Sequence, residues 1–186
     1  MNYGIYKNAR NASWQCLIDC NVISLPINPI AIADKYDLKC KLVDPKTIKG
    51  TSGEIRKKVD GSVVILFNAN HPKVIQAFTI MHEIGHYVLG YLGNEPLSRN
   101  YNSIRPEEEQ AADRFAADIL MPACVLWGLN IHTPEEIAKL CNVSMQAATI
   151  RAERMEILYQ RNKFLLHPLE RQAYAQFGRF IQNYKR

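Results

Sequence analysis

His82, Glu83 and His86 stand within five residues of one another, inside the apolar segment "MHEIGHYVLG" at 81–90. On an α-helix, residues four apart lie one above the other on the same face, so the two imidazoles aim at one point. Zinc binds imidazole nitrogens at about 2.0–2.1 Å, and a catalytic zinc site needs three protein ligands. Glu83 lies about 100° round the helix from His82, too far to ligate but within reach of a water on the metal. The chemistry expected is metal-assisted hydrolysis, with His82 and His86 as ligands and Glu83 as general base. The rival reading is two ordinary packed histidines. It needs a pentapeptide that ordinary residue usage produces in on the order of one chain in a hundred or fewer.

A third ligand is required. Positions 89 and 92 are Leu89 and Leu92, so H-E-x-x-H does not continue into a three-histidine helix motif. His71, His132 and His167 fall in turn or loop contexts. The segment "EEEQAADRFAADILMP" instead offers acids on a following helix. Ala111, Ala112, Phe115, Ala116, Ile119 and Leu120 mark its buried side, with Glu109 and Asp113 at the border. Ala112 and Ala116 keep this helix slim, which suits a close crossing near Gly85. A glycine inside a helix costs about 1 kcal/mol relative to alanine, so something is expected to approach the backbone there. Glu109 is therefore the expected third ligand. Asp113, one turn on, is expected to accept the second N–H of a ligating histidine and fix its orientation. Glu107 and Glu108 read as acids favoured at a helix N-terminus.

Stepwise along the chain, "ARNASWQCLIDC" has helical spacing, and a second helix follows the Pro-rich turn in "SLPINPIAIADKYDL". "LKCKLV" alternates as a half-buried strand does. Asp60-Gly61 between two β-like runs predicts a hairpin. Its second run, from Val63 to Phe67, is apolar throughout and is expected to be central. The motif helix is expected to be capped by Asn70 or His71 with Pro72 at its first position. Ile75, Phe78, Thr79, His82, His86 and Leu89 are expected to share one face. Residues 93–106 read as a polar loop, and the acid-rich helix stops before Pro122. From residue 131, Thr133, Pro134 and Glu136 form a capping box. Asn142 fits a tight turn and Ser144 caps a further helix, giving a helix–turn–helix shape. Ala147, Ala148, Ile150 and Met155 are expected to pack in that helix. A helical tail follows, with a break at His167-Pro168. The expected class is α+β, mostly helical, divided into 1–130 and 131–186.

The chain has 186 residues, 47% hydrophobic and 22% charged, enough to bury a core without staples. No apolar run approaches the ~18 residues that cross a membrane, and the N-terminus lacks a signal pattern, so a cytoplasmic protein is expected. The five cysteines, Cys16, Cys20, Cys40, Cys124 and Cys141, are scattered without C-x-x-C, against a disulfide framework or a Cys-type zinc site; Cys16 and Cys20, one helical turn apart, could bind metal but read rather as small buried hydrophobes. The net charge of +5 resides in residues 151–186, which hold eight basic and three acidic side chains. Such a tail suits nucleic acid, an acidic protein face, or merely a solvated helix.

The sequence resembles the ImmA/IrrE family of metallopeptidases. The likeness rests on "FTIMHEIGHYVLG", "EEEQAADRFAADILMP" and "TPEEIAKLCNVS" in that order, with "AR…SLPINPIAIA" and the apolar strand before the motif helix. It extends to about residue 155. One departure is "QAFT", where the family often carries Arg or another polar residue before "FT". The resemblance implies a zincin-like mini-domain with a small sheet, followed by a helix–turn–helix-like module. It places the glutamate ligand at Glu109. It implies a zinc enzyme, with Mn2+ as a substitute, that cleaves a partner helix–turn–helix repressor of a mobile element or stress response.

Tyr87, Tyr91, Tyr101 and His132 are candidates to stabilise an oxyanion. Tyr101 is preferred because it lies on the loop between the two ligand-bearing helices. The rival functions are a metal-binding DNA-binding regulator and a catalytically silent zinc scaffold. Gln146, Thr149 and Arg151 are the base-reading side chains available to the regulator. With so few, sequence-specific DNA binding is not expected.

Overall fold

The computed structural model describes residues 3–92 and 106–185. Among these, helices dominate and a three-stranded sheet lies at one end, so the α+β expectation holds. Helix α1 spans Tyr3–Asp19 and α2 spans Pro29–Lys35, the latter capped by the Asn28 side chain on the amide of Ile30. Strands β1 (Leu38–Val43), β2 (Gly53–Lys57) and β3 (Val63–Asn68) follow. The sheet order is β1-β3-β2. The Asp60-Gly61 turn joins β2 to β3 as an antiparallel pair, with Gly61 at φ 82° as that turn requires.

β3 is apolar from Val63 to Phe67 because both its faces are covered. Ile65 and Phe67 enter the main core, while Val64 and Leu66 pack with Ile48 from a short 3-10 turn, Pro45–Ile48. β1 pairs with β3 in parallel, Leu38 opposite Val63. Local alternation identified β1 as a strand but carries no information about its partner or direction.

Helix α3, Lys73–Val88, starts one residue later than expected: Pro72 is the cap position and no side chain caps it. Gln76 ties the preceding loop down, its amide donating to the carbonyls of Asn68, Ala69 and His71 at 3.1, 3.3 and 2.9 Å. Helix α4, Glu107–Leu120, packs across α3 and α1. A Cβ added at Gly85 would lie 3.1 Å from Phe115 Cδ1 and 3.2 Å from both Cα and O of Ala112. The glycine thus lets the α4 backbone approach α3, as its sequence position suggested.

α5, Ala123–Leu129, was not foreseen, since seven mostly apolar residues carry no helical period. Then come α6 (Pro134–Cys141), α7 (Met145–Arg161), α8 (Pro168–Gln176) and α9 (Gly178–Tyr184). The Thr133/Glu136 capping box is present, Asn142 takes the left-handed turn at φ 52°, and Ser144 caps α7. The break after Arg161 ends where His167 caps α8. One apolar cluster runs through both halves of the chain, joining Leu17, Met81 and Phe115 to Ile137, Phe177 and Ile181. Among the described residues, no helix is long and apolar enough to cross a membrane.

Candidate functional site

α3 and α4 cross with their polar side chains facing each other. His82 and His86, one turn apart on α3, bring their Nε2 atoms to 3.0 Å. Glu109, in the first turn of α4, places Oε1 3.3 Å from His86 Nε2 and Oε2 3.6 Å from His82 Nε2. His82 and His86 are buried and the Glu109 side chain is 12% exposed. Two imidazole nitrogens at hydrogen-bond distance need a proton or a cation between them. A tetrahedral zinc about 2.0–2.1 Å from three donors would space them about 3.3–3.4 Å apart, close to the separations seen. The donor set, two imidazoles and a carboxylate, also fits zinc or manganese.

Asp113, one turn along α4 from Glu109, accepts from His82 Nδ1 at 2.8 Å. That bond keeps a proton on Nδ1 and turns Nε2 to the cluster. Burial opposes charge on His82, yet the hydrogen bonds to Asp113 and Glu109, with the charges of Glu83 and Asp113, raise its pKa to about 9. Hydrogen bonds from His82 and His86 hold the Glu109 carboxyl well below the usual range. Held apart from any metal, the cluster is thus a proton-sharing group of imidazoles and carboxylates.

Glu83 is buried and lines the cleft beside His82. A Cβ at Gly53 would sit 3.5 Å from its Oε1 and against Leu66 O and Thr79, so the glycine opens the start of β2 towards Glu83. The cleft, about 630 Å³, runs from this cluster to the N-terminal half of α7. Ile75, Phe78, Ala117, Ala147 and Ile150 give it an apolar lining.

The oxyanion candidates fare differently. Tyr101 lies outside the described residues. Tyr91 stands edge-on to His86 at 6.3 Å. Tyr87 packs against Tyr36, and His132 stacks on Tyr159 at 4.3 Å; neither lines the cleft. His71 and His167 are likewise elsewhere, His167 serving as the cap of α8.

Two expectations for α7 are overturned. Ile150 is 62% exposed and lines the cleft rather than packing in the core. Arg151, named as a base reader, is buried. Its Nη1 donates to Asp118 Oδ1 at 2.9 Å and its Nη2 to the Met121 carbonyl. Asp118 also pairs with Arg114 at 2.6 Å. Sequence reasoning missed Tyr6, Arg114 and Arg154 as cleft residues. Tyr6 and Arg154 lie 148 residues apart and no local pattern links them.

No curated protein matches the chain. The model of the IrrE N-terminal-like domain, Peptidase M78, matches residues 40–153, from β1 through α3 and α4 into α7, and the chain belongs to that family.

Proposed function

We propose that the protein is a zinc-dependent endopeptidase that cuts a partner protein, a helix–turn–helix repressor of a mobile element or stress response being the substrate the family implies. The observation that carries the reading is the convergence of His82 Nε2, His86 Nε2 and Glu109 within 3.0–3.6 Å on two crossing helices. These three side chains would hold the metal, zinc or manganese in its place, and Asp113 would orient His82. When bound, the metal supplies Lewis acidity that polarises the scissile carbonyl and lowers the pKa of water. Glu83 takes the proton of the attacking water and delivers it to the departing amine. The cleft positions the peptide and excludes bulk water beside Glu83.

The arrangement of α7 favours this reading over a sequence-specific DNA-binding regulator. Arg151 is buried and paired, the Thr149 hydroxyl donates back to the Met145 carbonyl at 2.9 Å, and Gln146 and Ile150 face the cleft. That supports a module that meets the substrate protein, residues 131–186 serving as the recognition segment.

Glu83→Gln tests the reading: it is expected to keep metal content and fold while losing cleavage by about 10²–10⁴-fold, the range for a general base. Candidate repressors are incubated with the zinc-loaded protein and its variant, and fragments are mapped by mass. Cleavage by the variant at the unmodified rate would remove Glu83 from the role. Equal activity on unfolded casein and on every repressor would remove the specificity.

A further inference from the structure

The end of the cleft away from the histidines is lined by Tyr6, Arg114 and Arg154, none of which hydrolysis as described requires. Arg114 lies over the Tyr6 ring at 4.6 Å and Arg154 lies over it at 5.5 Å. Arg154 Nη2 also donates to the Tyr6 hydroxyl at 2.6 Å. One carboxylate, Asp118, is shared by Arg114 and Arg151. Among the described residues Arg154 has no carboxylate partner, and its Nε is buried without a hydrogen-bond acceptor. A guanidinium cannot relieve this by deprotonation, and its planar fork matches a carboxylate. The ring of Tyr6 offsets part of the charge and holds the fork in place, but it offers no anion.

The neighbouring wall is apolar: Ile150, one turn before Arg154 on α7, exposes its side chain along the cleft, with Ala147 and Phe78 nearby in the lining. Arg114 directly follows Asp113, whose carboxylate holds His82, so the cationic end lies within about two helical turns, or roughly 10 Å, of the histidines. An extended peptide covers that distance in about three residues.

We infer that the cleft selects peptides carrying an aspartate or glutamate side chain within about three residues of the cut, bound by Arg154 beside Arg114, with an apolar side chain seated against Ile150. This specificity rests on the peptidase reading above. Arg154 is its determinant and Tyr6 a positioning residue.

The test is digestion of a proteome-derived peptide library by the zinc-loaded full chain, with cut sites mapped by mass, followed by matched C-terminally amidated reporter pairs differing by Glu against Gln. The expected result is acidic enrichment at one position near the cut, and a kcat/KM ratio for Glu over Gln of about 10–100. Arg154→Gln is expected to bring that ratio towards one with zinc content unchanged, and Arg154→Glu to invert it in favour of a Lys peptide. Tyr6→Phe, which keeps the stacking and loses the hydrogen bond, is expected to lower the ratio in part. Thermal melts check the fold. If Arg154→Gln does not fold, the ratio is read on Arg154→Lys, where loss of the fork still reduces it and an unchanged ratio overturns the assignment. Cutting without acidic preference, or preference retained in Arg154→Gln, would overturn the specificity alone. Enrichment only at peptides with a free C-terminal carboxylate would overturn it in favour of terminal recognition. Failure to cut any peptide or repressor would overturn the peptidase reading and this inference together.

Discussion

Two charged clusters sit along α4 and are balanced in opposite senses. At its start, Glu109 and Asp113, four residues apart, face the imidazoles of His82 and His86. Further on, Arg114 and Asp118, again four apart, face Arg151 of α7. The spacing is the same, and both clusters are largely withdrawn from water. The difference lies in what the facing helix supplies. Imidazoles have lone pairs and exchange protons near neutrality, so the first cluster can trade a proton for a metal ion. Guanidiniums have neither property, so the second cluster can only hold its charges together or attract an anion. The first could take up a cation, and the second fixes α4 to α7.

The largest effect is expected from breaking the first cluster at Glu109, its proposed carboxylate ligand. Glu109→Ala removes one of three donors and is expected to abolish stoichiometric zinc and cleavage together, with the fold retained. Metal analysis beside circular dichroism decides it, and full zinc in that variant would move the third ligand to Glu108 or Asp113.

The second cluster is expected to fail differently. Asp118→Ala leaves Arg151 buried without its carboxylate, which costs about 3–5 kcal/mol for broken buried pairs. Urea unfolding would show the loss. Replacing the two together, Asp118→Leu with Arg151→Met, is expected to recover most of it, because an apolar pair of similar volume avoids the desolvation of both charges.

Asp113→Ala sharpens the contrast within the first cluster. It leaves the three donors but frees the His82 ring, and zinc affinity is expected to fall about 10–100-fold, a loss smaller than for Glu109→Ala. A competition titration with a chromophoric chelator measures the difference. If Asp113→Ala equals Glu109→Ala, the two carboxylates are not distinct in role.

The most graded effect is in pH, where each step is no more than the lower end of the Asp113→Ala loss. His82 is raised from 6.5 to about 9 in the metal-free fold, so that fold carries a proton at neutrality which zinc must displace. Zinc affinity is therefore expected to rise about tenfold per pH unit from 7 towards 9 and to level above it. Calorimetry in buffers of different ionisation enthalpy would report close to one proton released per zinc at pH 7. In the metal-free protein the sign is reversed for stability: the contribution of charged His82 is full below about 6.5 and is lost as pH rises through about 9.

Much of this was legible in the sequence where a local rule applies. The His82–His86 spacing, the slim Ala112 face, the Thr133 capping box and the Asp60-Gly61 turn each depend on residues within a few positions of one another. The parallel pairing of β1 with β3 was not legible, because alternation reports exposure and not partners. Nor was the cationic end of the cleft, since Tyr6 and Arg154 meet only through tertiary packing. Ile150 misled for a related reason. An apolar side chain in a helix is ordinarily packed, and nothing in its neighbours signals that it borders a cleft.

Gly85 bears on how this enzyme would respond to stabilisation by selection or engineering. Alanine in its place raises helix propensity by about 1 kcal/mol, and a screen for thermal tolerance would favour the substitution on that ground. Yet its methyl carbon would stand 3.2 Å from the Ala112 backbone, so the chain that must yield by a few tenths of an ångström is the helix carrying Glu109. Tightness of the His82–His86–Glu109 cluster and rigidity of the scaffold are therefore opposing traits at this position, and a heat-tolerant lineage could loosen that cluster without altering any of its three side chains.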